Sequence, residues 1–141
     1  MQLIKDASAE KLRGAYYTPP AIASFILHWG INGGQDADIL EPSCGDGVFL
    51  ECMRDENMLF NTVTAIEYEA AEANKARTLG LHDSEVINQD FHRFCLDTDK
   101  RFDLIVGNPP FIRYQYYNPA QQKLADEIFN NAKLKRTKLT N

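Results

Sequence analysis

The sequence predicts an α/β fold built on a doubly wound, mostly parallel sheet, and two observations carry that expectation. Short apolar runs at residues 38–41, 62–68, 84–87 and 102–106 have strand length and alternate with segments of helical spacing. Strands that alternate with helices pair in parallel through right-handed crossovers. The chemically unusual residues also cluster, following Leu40, Ile66, Ile87 and Val106. In such sheets ligands lie outside the carboxyl ends of the strands, near the point where strand order reverses.

Thr18-Pro19-Pro20 reads as a helix start, with Thr18 as N-cap and proline in the first turn. Ile22, Phe25, Ile26 and Trp29 recur at helical spacing, and Gly30 with Gly33-Gly34 ends the segment. Residues 38–41 form a short strand that runs into the turn Pro42-Ser43-Cys44-Gly45-Asp46-Gly47. Val48, Phe49, Cys52 and Met53 supply the apolar stripe of the next helix. Residues 62–68, rich in β-branched side chains, make a second strand. Residues 70–79 are a helix closed by Gly80. Residues 84–87 and 102–106 make the third and fourth strands. Asn118-Pro119 opens a last helix with Leu124, Ile128 and Phe129 inward. There are no repeats or low-complexity tracts.

A length of 141 residues fits one domain with a real core. Apolar content of 44% and charged content of 25% are ordinary for a globular protein. The longest apolar stretch, residues 21–29, is interrupted by Ser24 and His28 and is too short to cross a bilayer, so no membrane partner is expected. The N-terminus has no secretory pattern. Cys44, Cys52 and Cys95 show no CxxC spacing and form no set with His28, His82 and His92, so neither a disulfide framework nor a metal is expected. A reducing, cytoplasmic setting follows. The net charge of −5 restrains any nucleic-acid reading, because phosphate backbones are gripped by basic faces. Lys133, Lys135, Arg136 and Lys138 form a basic cluster that suits a solvated helix end or a phosphate contact. Most of the grip on a nucleic acid would therefore come from outside this chain.

Asn108-Pro109-Pro110-Phe111, directly after Leu104-Ile105-Val106, is a device for gripping a flat amino-bearing group. Asn108 Oδ1 and the Pro109 carbonyl can accept the two hydrogens of an exocyclic amine. Proline pins its own φ and restricts the residue before it. Phe111 offers a face for stacking a base. The same tetrapeptide also suits a plain Pro-Pro turn.

Upstream, Glu41-Pro42-Ser43-Cys44-Gly45-Asp46-Gly47 follows a strand and opens a helix. Its glycines let a ligand approach the backbone, and helix N–H groups point at it. The departure from G-x-G-x-x-G counts against a pyrophosphate site. Glu41 would repel a pyrophosphate but suits a ligand carrying an ammonium and a sulfonium. Glu67, 20 residues beyond Gly47, stands where ribose hydroxyls are held in this architecture, or is an exposed strand-end acid. Asp90 offers an acceptor for an adenine amino group, and Phe91 is either a wall for its ring or plain core.

These residues resemble the S-adenosylmethionine-dependent adenine-specific DNA methyltransferases, of the amino-methylating class in which cofactor motifs precede the catalytic one. The resemblance runs from Gly14 to about Tyr117. It implies a Rossmann-like sheet, S-adenosylmethionine as cofactor and DNA as partner, in a restriction–modification or related system. Gly14-Ala15-Tyr16-Tyr17-Thr18-Pro19-Pro20 is similar to the family's N-terminal cofactor motif, with Tyr17 and Thr18 at the methionine end. Glu41 would lie near the methionine amino group, with Cys44, Gly45 and Gly47 lining the site. Glu67 matches the ribose-binding acid, Asp90 and Phe91 the adenine clamp, and Asn108, Pro109, Pro110 and Phe111 the catalytic loop. The family's sheet has seven strands and a separate recognition domain. Residues 1–141 are accordingly expected to be the N-terminal part of a catalytic domain, truncated after about four strands, with no recognition module, an exposed sheet edge prone to self-association, and an inactive state in isolation. Two alternatives stay open: a protein-glutamine or ribosomal-RNA guanine methyltransferase, and a non-catalytic domain that binds cofactor or a partner chain.

Overall fold

The computed structural model describes residues 18–31, 36–110, 112 and 117–135. The chain divides into two compact units, one spanning Tyr17–Pro109 and the other joining Met1–Tyr16 to Pro110–Asn141. The first unit carries a four-stranded sheet of β1 (Asp38–Glu41), β2 (Thr62–Glu67), β3 (Ser84–Asn88) and β4 (Leu104–Ile105). Its order is β3-β2-β1-β4 and every pair is parallel. The chain moves outward from β1 through β2 to β3 and then returns to the far side of β1. The switch point therefore lies between the carboxyl ends of β1 and β4, where ligands bind in open α/β sheets.

Both faces of the sheet are covered. Ile39, Val63 and Ala65 face a core completed by Ala23 and Leu27 of α1 (Pro20–Ile31), Phe49, Leu50 and Met53 of α2 (Val48–Asp55), and Ala76 of α3 (Ala70–Thr78). Leu40 and Ile66 point to the opposite face and pack with Phe94 of α4 (Phe91–Asp97), flanked by Ile87, Phe91 and Phe102. Consecutive residues such as Ile39 and Leu40, or Ala65 and Ile66, thus face opposite sides of the sheet, and the strands are buried as continuous runs. Phe49, Leu27, Ile39, Leu50 and Met53 are almost completely buried, and each stabilises the fold by roughly 1.5–3 kcal/mol.

Several elements differ from expectation for physical reasons. The helix α4 was not anticipated; it is short, and Asp90 starts it by accepting the N–H groups of His92 and Arg93. The fourth strand spans only Leu104–Ile105 rather than residues 102–106, although Val106 N–H still donates to the Leu40 carbonyl at 2.9 Å. The two prolines that follow cannot donate to a ladder. α1 begins at Pro20, and the Pro19 carbonyl accepts the N–H groups of Ile22 and Ala23, which leaves Thr18 outside the helix start. The apolar spacing of α1 marks a helix, yet its buried residues are Ala23 and Leu27, while Phe25 and Trp29 are 69% and 79% exposed. Close approach selects the small-residue face: a Cβ on Gly30 would sit 3.2 Å from the Leu104 side chain.

In the second unit, α5 (Pro119–Asn131) starts as expected at Asn118, which forms a capping box with Gln121. Ala125 is buried, and Leu124, Ile128 and Phe129 are half-buried.

Gly47 precedes α2 with φ at 100°, and a Cβ there would lie 2.6 Å from Leu79 Cδ1 and 3.2 Å from the Ala76 backbone. Gly47→Ala is expected to destabilise the protein by about 1–3 kcal/mol through backbone strain and displacement of α3. Urea unfolding checks this, and a variant midpoint equal to that of the wild type would contradict it.

Candidate functional site

The turn after β1 gathers most of the polar residues expected to bind a ligand. Glu41 ends the strand and is only 1% exposed. Its Oε2 and the nearby Ser43 Oγ are both buried without a hydrogen-bond partner among the described residues. Burial raises the Glu41 carboxyl to about 8, and the negative charges of Glu67 and Asp46 reinforce the shift. A buried carboxyl with an orphaned oxygen and acidic neighbours is suited to a cation and hostile to a phosphate. Ligands with an ammonium group therefore fit the donor set, as the expectation for S-adenosylmethionine requires.

Glu67, at the end of β2, has a task the sequence did not disclose. Its Oε2 accepts Gly45 N–H at 2.8 Å and its Oε1 accepts Glu69 N–H at 2.7 Å. The carboxylate thus ties the β1 turn to the start of the next loop. Two of its roughly four lone-pair positions remain for a ligand's hydroxyls. Cys44 is 3% exposed and fixed by its N–H to the Ile66 carbonyl at 2.9 Å. Burial and the neighbouring acids Glu41 and Glu67 push its thiol far above the ordinary range, so it lines the turn as an inert group and not a nucleophile.

Asn108 is brought to this turn from β4. Gly107 lies against the turn: a Cβ there would stand in ordinary contact with Pro42 Cδ at 3.4 Å and Glu41 Cγ at 3.7 Å. The exposed Asn108 donates from Nδ2 to Thr18 Oγ1 at 3.2 Å, across a separation of 90 residues. Thr18 in turn lines an open cleft of about 440 Å³ with Asp46, Val48, Glu51 and Lys75. Thr18, the Glu41–Gly47 turn, Glu67 and Asn108 are therefore linked by contact at the switch point.

Asp90 and Phe91, after β3, also make contacts within the fold. Asp90 Oδ1 caps α4, accepting His92 N–H at 2.8 Å, and lies 3.2 Å from His92 Nδ1. Phe91 is half-buried and stacks on Phe94 with centroids 6.4 Å apart. These contacts give both residues structural work. Pro109 and Pro110 are exposed, Pro110 belonging to the second unit. Tyr17 and Phe111 lie outside the described residues. Among the described residues, no group of three or more His, Cys, Asp or Glu side chains could hold a metal ion, and no helix is long and apolar enough to cross a membrane.

The Glu41 shift has a pH consequence. Below its ordinary value of 4.5 the carboxyl is protonated in both folded and unfolded chains; between 4.5 and about 8 only the folded chain retains the proton. Unfolding free energy therefore falls as pH rises through that window, by up to roughly 1.4 kcal/mol per pH unit, and levels off above it. Glu41→Gln is expected to remove this slope. Unfolding of the ligand-free protein and the variant between pH 5 and 8 checks it, and parallel curves would contradict it.

Comparison with known proteins gives the same direction. The profile of the family described as N-6 DNA Methylase matches residues 2–141. The Type II methyltransferase M.CvrRI of Paramecium bursaria Chlorella virus XZ-6E is 33% identical over 121 residues, covering 79% of this chain and 30% of the relative. The Type II methyltransferase M.HincII of Haemophilus influenzae is 28% identical over 122 residues, covering 84% of this chain and 21% of the relative. The chain thus spans less than a third of the length of these relatives. The structure of TrmN from Thermus thermophilus shares the fold, with a TM-score of 0.56 at 19% identity over 72% of this chain and 32% of that one. With a profile match over nearly its whole length, the chain belongs to the N-6 DNA Methylase family.

Proposed function

We propose that this chain supplies the cofactor-binding and catalytic part of a protein that transfers a methyl group from S-adenosylmethionine to the exocyclic amino group of adenine in DNA, within a restriction–modification system in the cytoplasm. The observation that carries the reading is the placement of Asn108: its carboxamide stands at the sheet's switch point, bonded to Thr18 and carried by a loop packed on Glu41 and Pro42. Family membership and relatives that are Type II methyltransferases favour DNA over the protein and ribosomal-RNA acceptors.

The residues present suit the cofactor in chemistry. Glu41 would receive its ammonium group, Glu67 its ribose hydroxyls, and Thr18 with Tyr17 its methionine end, while Asp90 and Phe91 would hold the adenine. When bound, S-adenosylmethionine supplies an electrophilic methyl group on a positively charged sulfur. The acceptor amine is a poor nucleophile because its lone pair is delocalised into the base. Asn108 Oδ1 and the Pro109 carbonyl would accept its two hydrogens and favour the positive charge that develops on nitrogen, stabilising the transition state more than the ground state. Phe111 would hold the flipped base by stacking. Held in this way, the amine nitrogen would be directed at that methyl group, the new nitrogen–carbon bond replacing the sulfur–carbon bond. One amine proton, acidic once nitrogen is alkylated, leaves to water, and a strong general base is not needed.

In the whole protein, Asn108→Ala is expected to abolish methyl transfer with little change in cofactor affinity, because the residue acts on the acceptor. Calorimetry with S-adenosylmethionine and transfer of labelled methyl to adenine-containing DNA check this together. Lost cofactor binding with turnover preserved per bound cofactor would overturn the role.

The proposal also covers the sheet edge. Among the described strands β4 pairs only with β1, and Ile105 is 64% exposed. Unpaired edges recruit other strands. The isolated 141-residue polypeptide is therefore expected to self-associate through residues 104–106 or to be only marginally stable. Light scattering and hydrogen exchange check it. A dilution-independent monomer whose residue 104–106 amides are as protected as those of Ile39 and Leu40 would contradict it.

A further inference from the structure

We infer that Thr18 is a positioning residue for Asn108, and that its hydroxyl joins the ligand cleft to the carboxamide that faces the acceptor. The inference rests on the function proposed above for its consequence in turnover, but the side-chain coupling stands on geometry alone.

Thr18 is 8% exposed and lies two residues before α1, whose first N–H groups are taken by the Pro19 carbonyl. The hydroxyl reaches instead to Asn108 Nδ2 at 3.2 Å. Asn108 needs such an external determinant. It is exposed on a loop, and the terminal torsion of an asparagine is broad and roughly two-fold. Pro109 restrains the Asn108 backbone but not the rotation of its amide. An amide whose Nδ2 faces Thr18 turns Oδ1 to the opposite side, where it is available to an amine. The reversed amide would present a donor to another donor, and recognition would fail.

The hydroxyl is also the place where cleft and carboxamide meet, because Thr18 lines the cleft together with Asp46, Val48, Glu51 and Lys75. A hydroxyl has one proton and two lone pairs. A ligand oxygen that accepts a hydrogen bond from the Thr18 hydroxyl leaves only lone pairs toward Asn108, which fixes Nδ2 against Thr18 and Oδ1 outward. Occupancy of the cleft thereby selects the amide orientation needed by the acceptor. A cofactor with a carboxylate would prepare Asn108 before the base arrives.

Thr18→Val keeps the side-chain shape and removes the hydroxyl; Thr18→Ser keeps the hydroxyl. In the whole protein with labelled asparagine side chains, the two Asn108 Nδ2 proton resonances are expected to move and exchange faster with solvent in Thr18→Val, and to stay near the wild-type positions in Thr18→Ser. In the whole protein, Thr18→Val is expected to lower kcat for methyl transfer roughly ten- to hundred-fold at saturating cofactor with KM for DNA little changed, and Thr18→Ser to recover most of it. Asn108 resonances that ignore Thr18→Val would overturn the coupling. Altered resonances with unchanged kcat at saturating cofactor would overturn the positioning role. If the wild-type whole protein methylates no adenine in DNA, the function proposed above fails, while the resonance measurement still decides the Thr18–Asn108 coupling.

Discussion

The carboxylate of Glu67 accepts Gly45 N–H from one loop and Glu69 N–H from the next, and the shape of the site hangs on that pair of bonds. Charge-assisted bonds to backbone N–H are among the stronger ones available to a fold. They hold the β1 turn at Gly45, where φ is positive, so that Gly47 can take its left-handed conformation and start α2 against Ala76 and Leu79. The same turn presents Pro42 and Glu41 to Gly107, and through Gly107 it sets where Asn108 emerges. A strand-end acid is thus a structural tie first, with oxygen lone pairs left over for a ligand.

That tie concentrates negative charge. Glu41 is buried with an orphaned oxygen, and Glu67 and Asp46 both oppose its ionisation. In a ligand-free fold this arrangement costs stability that an apolar side chain of similar size would not. Local departures from packing rules concentrate where function requires them. On the proposed reading, an ammonium group would allow Glu41 to ionise, and part of the cofactor's binding energy would go into expelling the Glu41 proton. The protonated carboxyl and the cation-loving site are two states of one group.

How much of this was legible depended on the range over which the chemistry acts. Local signals read well: the strands β1 and β2, the close of α3 at Gly80 and the start of α5 at Asn118 are each written within a few residues. α4 escaped because seven residues make under two turns, too few for the Phe91–Phe94 spacing to stand out from a loop, and a capping Asp90 looks the same in sequence as a ligand acceptor. The shortness of β4 escaped because Phe102 and Val106 are apolar enough for a strand, while pairing depends on β1 ending at Glu41. Thr18 was read as a helix cap from its neighbours, whereas its observed partner lies 90 residues away. Side-chain bonds over that distance leave no pattern in a single sequence. The exposed Ile22, Phe25 and Trp29 make the same point for burial: spacing identifies the helix, and only packing identifies the face.

The charge distribution also bears on how DNA would be engaged. A net charge of −5, with Asp46 and Glu67 beside the turn, disfavours a phosphate backbone close to it. On the proposed reading, Asn108 would receive only one planar amine, carried on an uncharged base. The charge distribution and that role fit together if the adenine leaves the duplex and enters alone, while its phosphates stay away from the acidic turn. Extrusion would then do more than give access to the amino group: it would separate the base, which the site can bind, from the backbone, which it repels. Positive groups for the backbone would then be needed away from the turn. On the proposed reading the division of labour would follow from electrostatics: an acidic turn for a cationic cofactor, a neutral carboxamide for the base, and phosphate contacts supplied elsewhere.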